Sequence, residues 1–133
     1  MLKKILLVED DVHLQFLIKE ELNEDGYDVV IASNGKEAIS MLKQTEGVDA
    51  DLIIMDIRMP VMDGIEAVGH ILKSRINKPI ILHSAYQAYK QDPLTMAADA
   101  YLVKSHDFTK LKAKISELLD KRPADYKAVQ ASA

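Results

Sequence analysis

The chain has 133 residues, enough for one domain with a proper core and too few for two comfortable ones. Hydrophobic residues make up 48% and charged residues 29%, a globular balance that gives no ground for disorder or a fibrous class. Cysteine is absent, which excludes a disulfide framework and a thiolate metal site, and the net charge of -4 lacks the basic footprint of direct nucleic-acid binding.

The first apolar run, Ile5 to Val8, is cut at once by Glu9, Asp10 and Asp11, so it cannot be a signal peptide's apolar segment. No run is long enough to span a membrane, so a cytoplasmic protein without membrane insertion is expected. A helix follows with Leu14, Leu17, Ile18 and Leu22 on one stripe and Gly26 placed to stop it. Val29 to Ala32 reads as a second strand, and Asn34 as the cap of a helix from about Gly35 that carries Ala38, Ile39 and Leu42. The third strand, Leu52 to Met55, ends on Asp56 and opens Asp56-Ile57-Arg58-Met59-Pro60-Val61-Met62-Asp63-Gly64. Asp63 can cap a third helix with Ile65, Val68 and Leu72 on its apolar face. After the fourth strand, Ile80 to His83, Pro93 falls inside the span of a fourth helix, which is expected to be short or broken. Ala100 to Val103 is the fifth strand; Phe108, Leu111, Ile115, Leu118 and Leu119 mark the last helix, starting near His106 or Asp107. Periodicity is lost after Lys121, which sets a domain over 1–121 and a tail over 122–133.

Strand alternating with helix predicts right-handed βαβ units and a parallel sheet covered on both faces. Such sheets deliver strand-end residues to one rim, and here Glu9, Asp10 and Asp56 would meet there. Any single acid at a strand end is most simply a solvated loop residue; two acidic strand ends at once weaken that account. Crowded carboxylates need a cation, and a hard ion such as Mg²⁺ suits them. Arg58 stands where a second Asp would be needed for a nucleic-acid-cleaving metal site. The four histidines, His13, His70, His83 and His106, have no metal-ligand spacing.

Leu6-Leu7-Val8-Glu9-Asp10-Asp11, the Asp56 to Gly64 stretch, Ser84-Ala85 and Tyr101-Leu102-Val103-Lys104 together resemble the receiver domain of bacterial response regulators, over about residues 3 to 120. The resemblance implies a flavodoxin-like, doubly wound α/β fold with a five-stranded parallel sheet in the order 2-1-3-4-5 and helices on both faces. It implies that Asp56 is the phosphoacceptor, attacking a phosphohistidine on a sensor histidine kinase or phosphotransfer protein. Asp10 and Asp56 would then bind Mg²⁺ directly, Glu9 through water, and Arg58 through its backbone carbonyl. Lys104 would neutralise the phosphoryl group, Ser84 would hydrogen-bond it, and Tyr101 would turn inward as Ser84 moves. Without the resemblance, Lys104 reads as a snorkelling lysine, Ser84 as a turn residue and Tyr101 as a half-buried strand aromatic. Pro60 and Gly64 read as structural.

Two departures stand out. Ser105 occupies the place after Lys104 where the family usually has a proline joined by a cis peptide, and a cis bond without proline costs roughly 2.5–4 kcal/mol. The Tyr86 to Ala98 region is short and lacks the usual Gly-Ala before the last strand, so the downstream protein target cannot be carried over. The expectation is a stand-alone, phosphorylation-dependent switch that is not an enzyme beyond its own phosphoryl transfer and autodephosphorylation; a piece of a larger regulator would show the same pattern. A Mg²⁺-dependent phosphohydrolase and a phosphorylation-independent binding module are the alternatives. Arg58 and Tyr86, each two residues beyond a site residue, are expected to limit water access and prolong the phosphorylated state.

Overall fold

The structure, a computed structural model, describes residues 2–43, 47–74, 76–87 and 91–120. The strands are β1 (Lys4–Val8), β2 (Asp28–Ala32), β3 (Leu52–Met55), β4 (Ile80–Ser84) and β5 (Ala100–Val103). They alternate with the helices α1 (Val12–Glu24), α2 (Gly35–Lys43), α3 (Gly64–Lys73), α4 (Pro93–Met96) and α5 (Thr109–Asp120). All strand pairs are parallel and the order is β2-β1-β3-β4-β5, the expected order.

Both faces of the sheet are covered because alternate strand residues point to opposite sides. Leu6, Val8, Ile53, Met55 and Leu82 pack against Ala38 of α2 and Ala67, Val68 and Ile71 of α3. Ile5, Leu7, Leu52, Ile54 and Ile81 pack against Ile18 and Leu22 of α1 and Leu111, Ile115 and Leu118 of α5. Central strands buried on both sides have no polar alternation, which is why they stand out as unbroken apolar runs.

Two of the helical stripes need correction. Leu17 is 38% exposed and Leu72 is 45% exposed; in α3 it is Ile71 that reaches the core. A helix lying on a flat sheet buries a narrow strip, and both leucines fall on its margin.

Local signals explain most boundaries. The Asp11 carboxylate caps α1 by accepting from the N–H groups of His13 at 2.9 Å and Leu14 at 3.2 Å. Asn34 accepts from the Glu37 N–H and Asp63 from the Glu66 N–H, each at 2.8 Å. Gly26, with φ +92, lets the chain leave α1 through a conformation that L side chains avoid. Pro93 does not interrupt a helix but opens one: it is the first residue of α4, capped by Asp92, where its missing N–H has no helical partner to lose. The expected tail, 122–133, lies outside the described residues, of which Asp120, in the last helix, is the final one. No helix among the described residues is long and apolar enough to cross a membrane.

Candidate functional site

The register brings the carboxyl ends of the central strands level: Val8 lies beside both Ala32 and Met55, and Ser84 beside Val103. The residues that follow therefore share one rim. Glu9 is 1% exposed, Asp56 6% and Ser84 1%, whereas Asp10 and Arg58 are exposed. Carboxylate oxygens of Glu9, Asp10 and Asp56 lie within 4.8 Å of one another, close enough to share a cation.

Backbone bonds hold this arrangement. Asp56 N–H donates to the Val8 carbonyl at 2.9 Å, fixing the ends of β1 and β3 together. Ile57 N–H donates to Asp56 Oδ1 at 2.8 Å, which orients the carboxylate. Gly64 N–H donates to the Ile57 carbonyl at 2.7 Å, and a Cβ on Gly64 would stand 1.9 Å from the Asp56 carbonyl oxygen. Only glycine permits that approach. In the loop between, Met62 N–H donates to the Pro60 carbonyl at 2.8 Å across Val61, whose φ of 70 is strained for a β-branched residue.

Lys104 joins the acids from the other side. Its Nζ lies 2.7 Å from Glu9 Oε1 and 3.2 Å from Asp56 Oδ2. Its own N–H donates to the Ser84 carbonyl at 2.7 Å, so the two residues are placed by one backbone bond. No peptide bond among the described residues is cis, so Lys104 reaches the site through a trans bond to Ser105. Asp10 makes no ion pair among the described residues.

The electrostatics follow from burial. It pushes the Glu9 carboxyl up to about 7, with the Asp56 charge adding to the rise and the Lys104 and Asp11 hydrogen bonds opposing it. Burial raises Asp56 as well, against the ammonium of Lys104. Burial alone would lower Lys104; its bonds to Glu9 and Asp56 reverse this and hold it above the usual value.

Glu9, Asp10, Asp56, Arg58, Ser84, Tyr86 and Lys104 face one cavity of about 260 Å³. Tyr101 is outside it, but its hydroxyl donates to the Tyr86 carbonyl. The Tyr86 N–H in turn donates to Ser84 Oγ at 3.1 Å. This link runs through the backbone of Tyr86, expected from sequence only as a water shield, and its residue type carries no signal for it. Asp11, directly before α1, serves as its cap rather than as a member of the acid cluster. A cavity of about 400 Å³ between β5 and α5, bordered by His83, Leu102, Phe108 and Leu111, contains none of the three clustered acids.

Residues 5–116 match the family model of the response regulator receiver domain. The chain belongs to this family. Such domains are signalling switches rather than ordinary enzymes, and they act by phosphorylation. The receiver is 34% identical over 121 residues to the alkaline phosphatase synthesis transcriptional regulatory protein PhoP of Bacillus subtilis, covering 90% of this chain and 49% of that protein. The receiver thus spans about half the length of the curated relatives it matches. Among solved structures, response regulator TrrA of Thermotoga maritima, in complex with Mg²⁺ and beryllium fluoride, is 44% identical with a TM-score of 0.81, covering 88% of this chain and 99% of that one. TrrA has also been solved in complex with the histidine kinase ThkA, at 44% identity and a TM-score of 0.79, covering 90% and 100%. The receiver domain of a Pseudomonas aeruginosa sensor histidine kinase, with Mg²⁺ in its active-site cleft, is 29% identical with a TM-score of 0.79, covering 91% and 100%. The acid cluster of this receiver has the hard oxygen donors that Mg²⁺ requires.

Proposed function

We propose that Asp56 accepts a phosphoryl group from the phosphohistidine of a sensor kinase or phosphotransfer protein in the cytoplasm. The observation that carries this reading is the ammonium of Lys104, 3.2 Å from Asp56 Oδ2, opposite a cluster of acids fit for a divalent cation. An Asp56 carboxylate oxygen attacks phosphorus as the phosphorus–nitrogen bond breaks, and the electron pair of that bond stays on the departing imidazole. Phosphoryl transfer needs positioning and charge neutralisation more than covalent chemistry. The Ile57 N–H orients the nucleophile, while Lys104 exchanges part of its contact with Asp56 for a phosphoryl oxygen. Asp10, Asp56, the Arg58 carbonyl and, through water, Glu9 would hold Mg²⁺, which would supply the remaining positive charge. Ser84 then donates its hydroxyl to a phosphoryl oxygen, and Tyr101 follows inward. The surface around α4 and β5 is thereby altered for a downstream protein. The exposed side chains of Val12 and Phe16 on α1 lie on the helix that Asp11 starts at the acid rim, a surface suited to the incoming kinase.

Incubation with Mg²⁺ and acetyl phosphate should add one labile phosphoryl group by mass, and Asp56→Asn should abolish it without loss of fold. A mutant that still gains the group would refute the assignment. Turnover of an added phosphoester would instead support a phosphohydrolase.

A further inference from the structure

Gln15 stands in the first turn of α1 and reaches back over the turn that carries the acids, because helical side chains lean toward the start of their helix. Its Nε2 donates to the Glu9 carbonyl at 2.6 Å and, at 3.4 Å, to Ser33 Oγ just beyond the end of β2. A carbonyl only accepts, so the amide nitrogen is the atom that faces it. Glu9 is thereby pinned on both sides of its backbone, since its own N–H donates to the Ala32 carbonyl at 3.0 Å. The Glu9 carbonyl belongs to the peptide bond that joins Glu9 to Asp10, and a planar peptide fixes the direction in which the next residue leaves. Asp10 is exposed and makes no ion pair among the described residues, so no partner charge turns it toward Asp56. Its aim comes from that peptide.

We propose that Gln15 is a positioning residue for the Mg²⁺ site: its amide holds the Glu9–Asp10 peptide, and through it the Asp10 carboxylate, where an ion can be shared with Asp56. This rests on the reading of Asp10 as a metal ligand. Gln15 does not border the acid cavity and carries no charge, so its removal changes the aim of the site and not its field. Mg²⁺ requires near-ideal octahedral geometry, whereas Ca²⁺ accepts flexible arrangements of oxygen. A carboxylate released from its aim therefore weakens binding of the smaller ion more. If Gln15 only satisfied a carbonyl for the sake of the fold, its loss would lower stability without changing the preference between the two ions.

The test titrates Mg²⁺ and Ca²⁺ separately into the full chain and follows the backbone amide signals of Glu9, Asp10 and Asp56 by NMR. Gln15→Met keeps the length of the side chain and removes the donor. It should weaken Mg²⁺ binding about tenfold, the lower end of the range for a residue that holds a metal ligand in place, and Ca²⁺ binding only about twofold. Gln15→Asn, whose amide stops one methylene short of the Glu9 carbonyl, should behave in the same way, which separates the lost bond from any folding defect peculiar to methionine. Unchanged Mg²⁺ affinity in the Gln15 variants, or an equal loss for both ions, would overturn the inference alone. Unchanged Mg²⁺ affinity in Asp10→Ala would overturn the reading of Asp10 as a ligand, and the inference with it.

Discussion

His83 is 4% exposed, and burial, with the Lys104 charge adding to it, lowers its imidazole from 6.5 to about 4. The folded chain therefore holds this histidine neutral where the unfolded chain would protonate it. Its contribution to stability is complete above pH 6.5 and declines as the pH falls toward 4. Between pH 7 and pH 5 the parent should lose about 2 kcal/mol more unfolding free energy than His83→Leu, measured by urea denaturation. Parallel pH profiles would show that the imidazole is not the group responsible. Arg58 and Tyr86 act at the same scale, on the lifetime of the phosphorylated state. Hydrolysis needs water in line with phosphorus, and both side chains border the cavity through which water must come. The double mutant Arg58→Asn, Tyr86→Glu should lose phosphate faster than the parent once the donor is removed. Equal decay rates would assign water access to other groups.

At the scale of elements, the turn from β3 into α3 carries the tightest requirement. A methyl group on Gly64 would meet the Asp56 carbonyl carbon at 2.8 Å and its oxygen at 1.9 Å, and both belong to backbone fixed by the sheet. Gly64→Ala should cost about 1–3 kcal/mol, at least the usual range for overpacking, and should slow phosphorylation by acetyl phosphate because Asp56 is displaced. Thermal melting and the rate of the mass increment check the two halves separately. The strands were legible in sequence because burial on both faces leaves runs such as Leu52 to Met55 wholly apolar. Helix faces were less so. Leu17 and Leu72 satisfy the helical period, yet periodicity does not say how narrow the strip against a sheet will be. Pro93 was legible as a limit on α4 but was placed within the helix rather than at its start, since the same residue serves as breaker or opener according to register. Strand order alone sends Glu9 and Asp56 to one rim, and it took the resemblance to receiver domains to single out Ser84 and Lys104 there. The internal contacts of the site were not legible: the backbone of Tyr86 bridging Ser84 and Tyr101 depends on loop conformation that no residue type encodes.

For the whole molecule, five parallel strands act as a frame that holds mutually repelling groups together before any ligand arrives. Glu9 and Asp56 have Lys104 between them, and Asp10 lacks an ion pair among the described residues. Asp10→Ala should therefore remove the Mg²⁺-dependent rise in melting temperature and the phosphorylation by acetyl phosphate, with no loss of stability in metal-free buffer. Relief of like-charge repulsion makes a slight gain the expected direction. A melting temperature that Mg²⁺ still raises in this mutant would place the ion elsewhere. Lys104 gives the frame one more property. Its ammonium is a counter-ion tethered to the chain, so its local concentration at the two buried acids is set by the reach of one side chain and survives any dilution of the medium. A cation arriving at Glu9 and Asp56 must therefore compete with a charge that can never diffuse away.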